Sequence, residues 1–458
     1  MAIATVDPAT GVVERTFTPM SAADVEEALA RAARAAAALR RTSFAERAAW
    51  MRAAADLLEA DVATLAATMT REMGKTLASA EAEIRKSARG CRFYAEHAEA
   101  MLAPEPVDAA AVGAVSAWSV YQPLGVVLAV MPWNFPVWQV LRFAAPALMA
   151  GNAGLLKHAS NVPQTALYLG ALFARAGFPA GAFGTLLIGS ADVERVLRDD
   201  RVAAATLTGS EAAGRSVARI AGDALKKTVL ELGGSDPFLV LPSADVARAA
   251  ATAVVARCQN NGQSCIAAKR FIVHTDVYDE FVAAFTRGMA ALRVGDPADP
   301  GTDVGPIATE AGRAELEELV ADAVANGAEV LTGGYRPAGP GWFYPPTVLA
   351  GVDPSMRLYR EETFGPVATV YRVADLDEAL DLANATAFGL GAAVWTTDDA
   401  DRARCVAELE CGAVTVNGMT VSYPQLPFGG IKTSGYGREL AAAGIREFCN
   451  LKAVWIGQ

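Results

Sequence analysis

The chain has 458 residues, 52% hydrophobic and 20% charged, the profile of a globular protein of about three domains or sub-domains. Its net charge of −11 argues against general nucleic-acid or anionic-membrane binding, so an anionic ligand needs a local basic pocket. The three histidines (His97, His158, His274) lie far apart and no metal site is expected, while six cysteines without a C-x-x-C pair suit reduced thiols and a cytoplasmic protein.

No signal peptide is expected, because residues 1–11 lack a basic region and an apolar core. The apolar run around Val126 to Met131 is far short of the ~20 residues of a membrane span. Alanine-rich helical patterns fill the first hundred residues, and none of them suggests catalysis. Ser21 with Asp24 and Ser43 with Glu46 read as capping boxes. Pro104 and Pro106 break the pattern, and residues 115–122 turn β-prone. From there strands and helices alternate. Strands are expected at Val126–Met131, 154–157, 185–188 and Val202–Thr208. Helices are expected at 136–149, Pro163–Arg175 and 191–198, with another opening near Ser210. Such β-α units imply a doubly wound parallel sheet that binds ligands at the carboxyl ends of its strands. A second α/β series follows Glu231, with strands at 237–241 and Arg270–His274 and helices at 244–258 and 277–292. The tail, 452–456, is β-prone.

Four segments set reactive residues among glycines and prolines. Met131-Pro-Trp-Asn-Phe-Pro136 ends a buried strand, and the Asn134 amide is either a turn residue or a donor to an oxyanion. Thr208-Gly209-Ser210 closes a strand and opens a helix, where free N–H groups suit a phosphate, although simple capping explains it equally. Glu231-Leu-Gly-Gly234 puts a carboxylate at a strand end, the place for a general base. Asn261-Gly-Gln-Ser-Cys265 puts a cysteine in a polar loop, a candidate nucleophile. An ordinary thiol is only about 3% ionised at pH 7, so such a site must favour the thiolate. The other cysteines read as core residues. Lys75, in Arg71-Glu-Met-Gly-Lys-Thr76, lacks the leading glycine of a phosphate loop.

Together these segments resemble the aldehyde dehydrogenase superfamily across essentially the whole chain. Glu361-Glu-Thr-Phe-Gly-Pro366 and Phe428-Gly-Gly-Ile-Lys-Thr-Ser-Gly435 complete the series in the family's order, and Glu231 and Cys265 stand 34 residues apart. The resemblance implies that Cys265 attacks the aldehyde, with Asn134 and the Cys265 amide holding the oxyanion. Hydride passes to a nicotinamide, and Glu231 activates the water that releases the acid. It assigns cofactor contacts to Trp133, Lys157, Ser160, Gly209, Ser210, Glu362 and Phe364. It also implies three regions: a cofactor domain (1–102 and 124–233), a catalytic domain (234–438), and a small β oligomerisation element (103–123 and 445–458) that forms a homodimer or homotetramer.

Relatives that prefer NAD usually carry Glu where Ser160 stands. Its absence favours NADP, with Lys157 and His158 as sources of positive charge, while NAD remains usable. Several stretches look like the short bacterial succinate-semialdehyde dehydrogenases. By that likeness Trp138, Arg142 and Ser422 hold the substrate, with Arg142 on its far carboxylate or in a structural salt bridge. Gln259, Tyr423 and Gln425 depart from those relatives and leave another semialdehyde or an aliphatic aldehyde open. Acylation of coenzyme A would dispense with Glu231, and a non-catalytic binding protein would dispense with Glu231 or Cys265; both are present.

Overall fold

The computed structural model describes residues 2–458. A short hairpin (Ile3–Val6 with Val13–Phe17) precedes four helices, Ala22–Leu39, Phe44–Ala60, Val62–Met73 and Leu77–Met101. The first two begin on reciprocal caps: the Ser21 amide donates to Asp24 and the Ser43 amide to Glu46, and each serine hydroxyl accepts in return. Ala22–Leu39 lies against the first sheet, and the other three helices join the same core chiefly by packing on neighbouring helices.

That sheet has six strands. In spatial order they are Gly435–Tyr436, Lys227–Glu231, Val202–Thr208, Val126–Met131, Ala153–His158 and Phe183–Thr185. All are parallel except the first. The chain enters at Val126–Met131, steps outward through 153–158 and 183–185, then returns to the other side at 202–208. The switch point therefore lies between the carboxyl ends of Val126–Met131 and Val202–Thr208, where such sheets bind ligands. Trp133, Asn134, Gly209 and Ser210 are the residues that follow those two ends.

The strand expected at 185–188 is displaced to Phe183–Thr185. Leu186 and Ile188 are buried in the core; the Leu186 amide still donates to the Leu156 carbonyl at 2.7 Å, and the pairing ends there. The helix expected from 136 starts at Trp138, after a turn through Pro136 and Val137.

The second sheet has seven strands: Glu329–Thr332, Thr347–Ala350, Val367–Val373, Arg270–His274, Pro237–Val240, Gly391–Trp395 and Ala413–Val416. Only the first is antiparallel. One face packs on the clustered rings of Phe238, Phe271, Phe281, Phe285 and Trp395. A third sheet pairs Cys449–Ile456, Ser116–Pro123 and Glu105–Val107, all antiparallel. Residues 234–438 do not all belong to the second sheet, because Gly435–Tyr436 crosses back to pair with Leu230 and Glu231. Among the described residues no helix is long and apolar enough to cross a membrane, and no group of three metal-ligating side chains gathers.

Candidate active site

The loop before Cys265 explains its own sequence. Asn260 and Asn261 adopt left-handed backbone (φ 54° and 58°), followed by Gly262 at φ 73°. Asparagine and glycine are the residues that tolerate this region. A Cβ at Gly262 would stand 2.3 Å from the Gly365 carbonyl carbon. The side chains then bolt the loop down. Asn260 Nδ2 donates to the Asn134 carbonyl at 2.8 Å and the Gln263 carbonyl at 3.1 Å. Asn261 Nδ2 donates to the carbonyls of Gly74 and Pro306, while its oxygen accepts from the Gly305 amide at 2.9 Å. Buried Arg257 donates to the Gly262 carbonyl at 2.6 Å. Cys265 is thereby held at the end of a rigid, polar loop.

Asn134 is buried opposite this loop. Its Nδ2 donates to the Gln263 carbonyl at 3.1 Å, which leaves a second N–H, and its Oδ1 has no partner. Among the described residues the Cys265 amide donates to no protein acceptor. Two N–H donors thus remain for an oxygen bound beside the sulfur. Burial pushes the Cys265 thiol up to about 12, against the pull of the Arg142 and Lys269 charges.

Cys265 and Gln139 line two adjoining spaces. The larger, about 510 Å³, is a cleft bounded by Trp133 and Asn134, by Thr208 to Ala212 and by Glu362 and Phe364. Trp133 and Phe364 meet edge to face with ring centres 5.7 Å apart. Glu362 accepts from the Gly234 amide at 3.1 Å and pairs with Lys269 at 3.4 Å. Lys269 in turn donates to the Cys265 carbonyl at 2.7 Å, which ties the cleft floor to Cys265. Ser210 caps the helix Glu211–Asp223 by accepting from the Ala213 amide at 3.4 Å, and the Gly209 amide is taken by the Glu231 carbonyl. Beyond the cleft, Lys157 is buried with no anionic partner among the described residues, and burial lowers its pKa.

These groups fit a dinucleotide: an ammonium without an anionic partner near the end of one strand, a helix start beyond the next, and a carboxylate that accepts by the aromatic pair. One expectation needs correction. His158 supplies no charge to the site. It is buried, its Nδ1 accepts from the Ala159 amide, its Nε2 contacts the Pro136 carbonyl at 2.9 Å, and burial lowers its pKa to about 4.

The smaller space, about 60 Å³, is bounded by Lys86, Phe135, Trp138, Arg142, Gln259 and Ser422 among others. Trp138 Nε1 donates to Ser422 Oγ at 3.0 Å. Arg142 is not an open cation: its guanidinium is ion-paired with buried Glu439 and lies 4.7 Å from the Phe428 ring centre. Glu231, at its strand end, is buried with neither carboxylate oxygen partnered. Burial raises its pKa well above the ordinary range, Arg142 lowers it, and Glu439 raises it further.

Sequence reasoning missed Lys86, Lys269 and Glu439. Lys269 follows the nucleophile by four residues, and that proximity was the one available signal. Lys75, set aside from phosphate binding, is buried against Glu83 and over the Phe135 ring.

A cysteine on a braced loop, with N–H groups beside it and a cleft at the carboxyl ends of a parallel sheet, suits the chemistry of enzymes that oxidise aldehydes. The aldehyde dehydrogenase family model matches residues 1–454, and the chain belongs to that family. It is 64% identical over 456 residues to succinate-semialdehyde dehydrogenase [NADP(+)] 1 of Mycobacterium tuberculosis H37Rv, covering 100% of both chains. Identity to the succinate-semialdehyde dehydrogenase [NADP(+)] of Mycobacterium avium strain 104 is 64% over 458 residues, 100% of this chain and 97% of that one. The crystal structure of succinic semialdehyde dehydrogenase from Streptococcus pyogenes with NADP+ superposes with a TM-score of 0.97 at 36% identity, covering both chains fully.

Proposed function

We propose that this chain oxidises succinate semialdehyde to succinate with NADP. The observation that carries the reading is the position of Cys265, where a dinucleotide-shaped cleft meets a second space with cationic and hydroxyl groups on its wall. Full-length identity to relatives named for this substrate and cofactor supports it.

The Cys265 sulfur attacks the aldehyde carbon, and the carbonyl electrons move to oxygen. Asn134 Nδ2 and the Cys265 amide donate to that oxygen. Arg142 and Lys269 lower the cost of the thiolate that attacks. NADP, when bound, supplies the hydride acceptor, and a thioester remains on Cys265. Glu231 then takes a proton from water, the water oxygen attacks the thioester carbon, and the thiolate leaves with release of succinate. Glu362 and Lys157 hold ribose hydroxyls, Ser210 and Gly209 approach the phosphates, and Trp133 and Phe364 wall the nicotinamide. Ser160, with no carboxylate of its own, leaves room for a 2′-phosphate.

The first sheet with its helices is the cofactor domain, the second sheet the catalytic domain. The third is an oligomerisation element for a homodimer or homotetramer, supported by exposed Leu451, Trp455 and Ile456 on its edge strand. Six free cysteines support a cytoplasmic location.

The test is the initial rate of reduced-cofactor formation on succinate semialdehyde and on butanal, each with NADP and NAD. A strong preference for succinate semialdehyde with NADP is expected. Equal kcat/KM on butanal would overturn the substrate, and equal kcat/KM with NAD would overturn the cofactor.

A further inference from the structure

Lys86 sits on the helix Leu77–Met101, in a region whose sequence suggested plain structural helix. Its Nζ donates to Ser422 Oγ at 2.9 Å and lies 4.4 Å from the Trp138 ring centre. It is in the same small space as Cys265. No carboxylate pairs with it among the described residues. Glu83, one turn earlier, makes its bonds elsewhere: one oxygen takes the amides of Val137 and Trp138 at 2.8 and 2.9 Å, and the other takes Lys75. Arg142 is neutralised by Glu439. Lys86 is thus the uncompensated cation of this space.

Ser422 sharpens the argument. A hydroxyl has one proton and two lone pairs. Lys86 and Trp138 both donate to Ser422 Oγ, so both lone pairs are used. Its proton is left to donate, and Lys86 keeps two further N–H groups. Among Lys86, Trp138 and Ser422 donors outnumber acceptors, and the unpartnered acceptor on the same wall, Gln139 Oε1, is neutral and leaves the ammonium charge unmatched. The group that completes it is one that only accepts and carries negative charge, which is a carboxylate.

We propose that Lys86, with Ser422, holds the far carboxylate of the substrate, while Arg142 serves as a buried support paired to Glu439. This rests on the reading of the substrate as a dicarboxylate semialdehyde. The ammonium and the hydroxyl each donate to the carboxylate, and the Trp138 ring keeps the ammonium stem in place.

The test uses the full-length enzyme with Lys86→Met and Lys86→Arg, assayed on succinate semialdehyde and butanal, with succinate as a competitive inhibitor against butanal. Loss of a charge-assisted bond predicts that Lys86→Met lowers kcat/KM on succinate semialdehyde about ten- to hundredfold more than on butanal, mainly through KM. Lys86→Arg restores most of that ratio. If the wild type prefers succinate semialdehyde and Lys86→Met changes both substrates alike, the Lys86 assignment fails and the substrate reading stands. If the wild type has no such preference, the substrate reading fails. The inhibition constant of succinate then decides on Lys86: a rise of about tenfold or more in Lys86→Met keeps the carboxylate site, and no rise removes it.

Discussion

Arg142 and Glu439 close into a buried ion pair that joins the helix after Asn134 to the segment just before the last helix. Both side chains are almost wholly shielded from water. Removing one partner of a buried pair strands the other charge, which costs about 3–5 kcal/mol, while replacing both with apolar groups is often neutral. Glu439→Gln is therefore expected to lower Tm sharply, and Arg142→Met with Glu439→Leu to recover most of it. Differential scanning calorimetry on the three proteins checks this, and equal Tm in Glu439→Gln and wild type would deny the pair its structural role.

Glu231→Gln keeps the shape of the buried carboxyl and removes the base. A first burst of reduced cofactor is expected to remain, with steady turnover falling about 10²- to 10⁴-fold. Because burial raises the pKa of Glu231, the wild-type steady rate is expected to climb with pH through a value above the ordinary carboxylate range. Stopped-flow traces across pH separate the two phases, and a Glu231→Gln enzyme that keeps the same rising limb would assign that limb to another group.

Lys86 gives a second pH signature. Burial lowers its pKa to about 8, Arg142 and Arg89 push it the same way, and Glu83 opposes them. KM for succinate semialdehyde is expected to rise as pH climbs past that value, because the ammonium loses its charge. KM for butanal lacks that term. Parallel KM profiles for both aldehydes would show that the step does not belong to Lys86.

Asn134→Ala removes one of the two donors beside the sulfur. Loss of such a donor costs about 10²- to 10³-fold in kcat. Pre-steady-state rates of thioester formation read it directly, and a fall in steady turnover alone, with the burst rate kept, would place the effect after acylation.

Ser160→Glu adds a carboxylate where a 2′-phosphate is expected, and two like charges 4 Å apart repel by about 4 kcal/mol at an effective dielectric of 20. Selectivity should swing from NADP toward NAD. Cofactor kcat/KM ratios measure it, and an unmoved ratio would locate the 2′-phosphate elsewhere.

Much of the fold was legible because buried parallel strands read as short apolar runs. Val126–Met131, Val202–Thr208 and Arg270–His274 fall where the sequence put them. The site was legible where one segment carries its own reason, as in the Asn-Asn-Gly turn before Cys265. It was not legible where function needs residues far apart in sequence. Lys86 and Ser422 are 336 positions apart, and nothing in an alanine-rich helix marks which lysine will meet a tryptophan. Of the two roles open to Arg142, the salt bridge was hidden for the same reason, since its partner Glu439 lies far away in the sequence. Ile188 misled because apolar periodicity reports burial and not hydrogen-bonded pairing.

The short return of Gly435–Tyr436 to the edge of the first sheet makes the two large sheets topologically interlocked. The first sheet is not built from a continuous stretch of polypeptide: it is finished only when residues 435 and 436 arrive to cover the rim at Leu230 and Glu231. A fragment stopped before residue 435 would expose a bare strand edge beside Glu231, an invitation to aggregation. During synthesis the site therefore assembles last, after nearly all of the protein has been made, and recombining such enzymes by exchanging one contiguous half would split it.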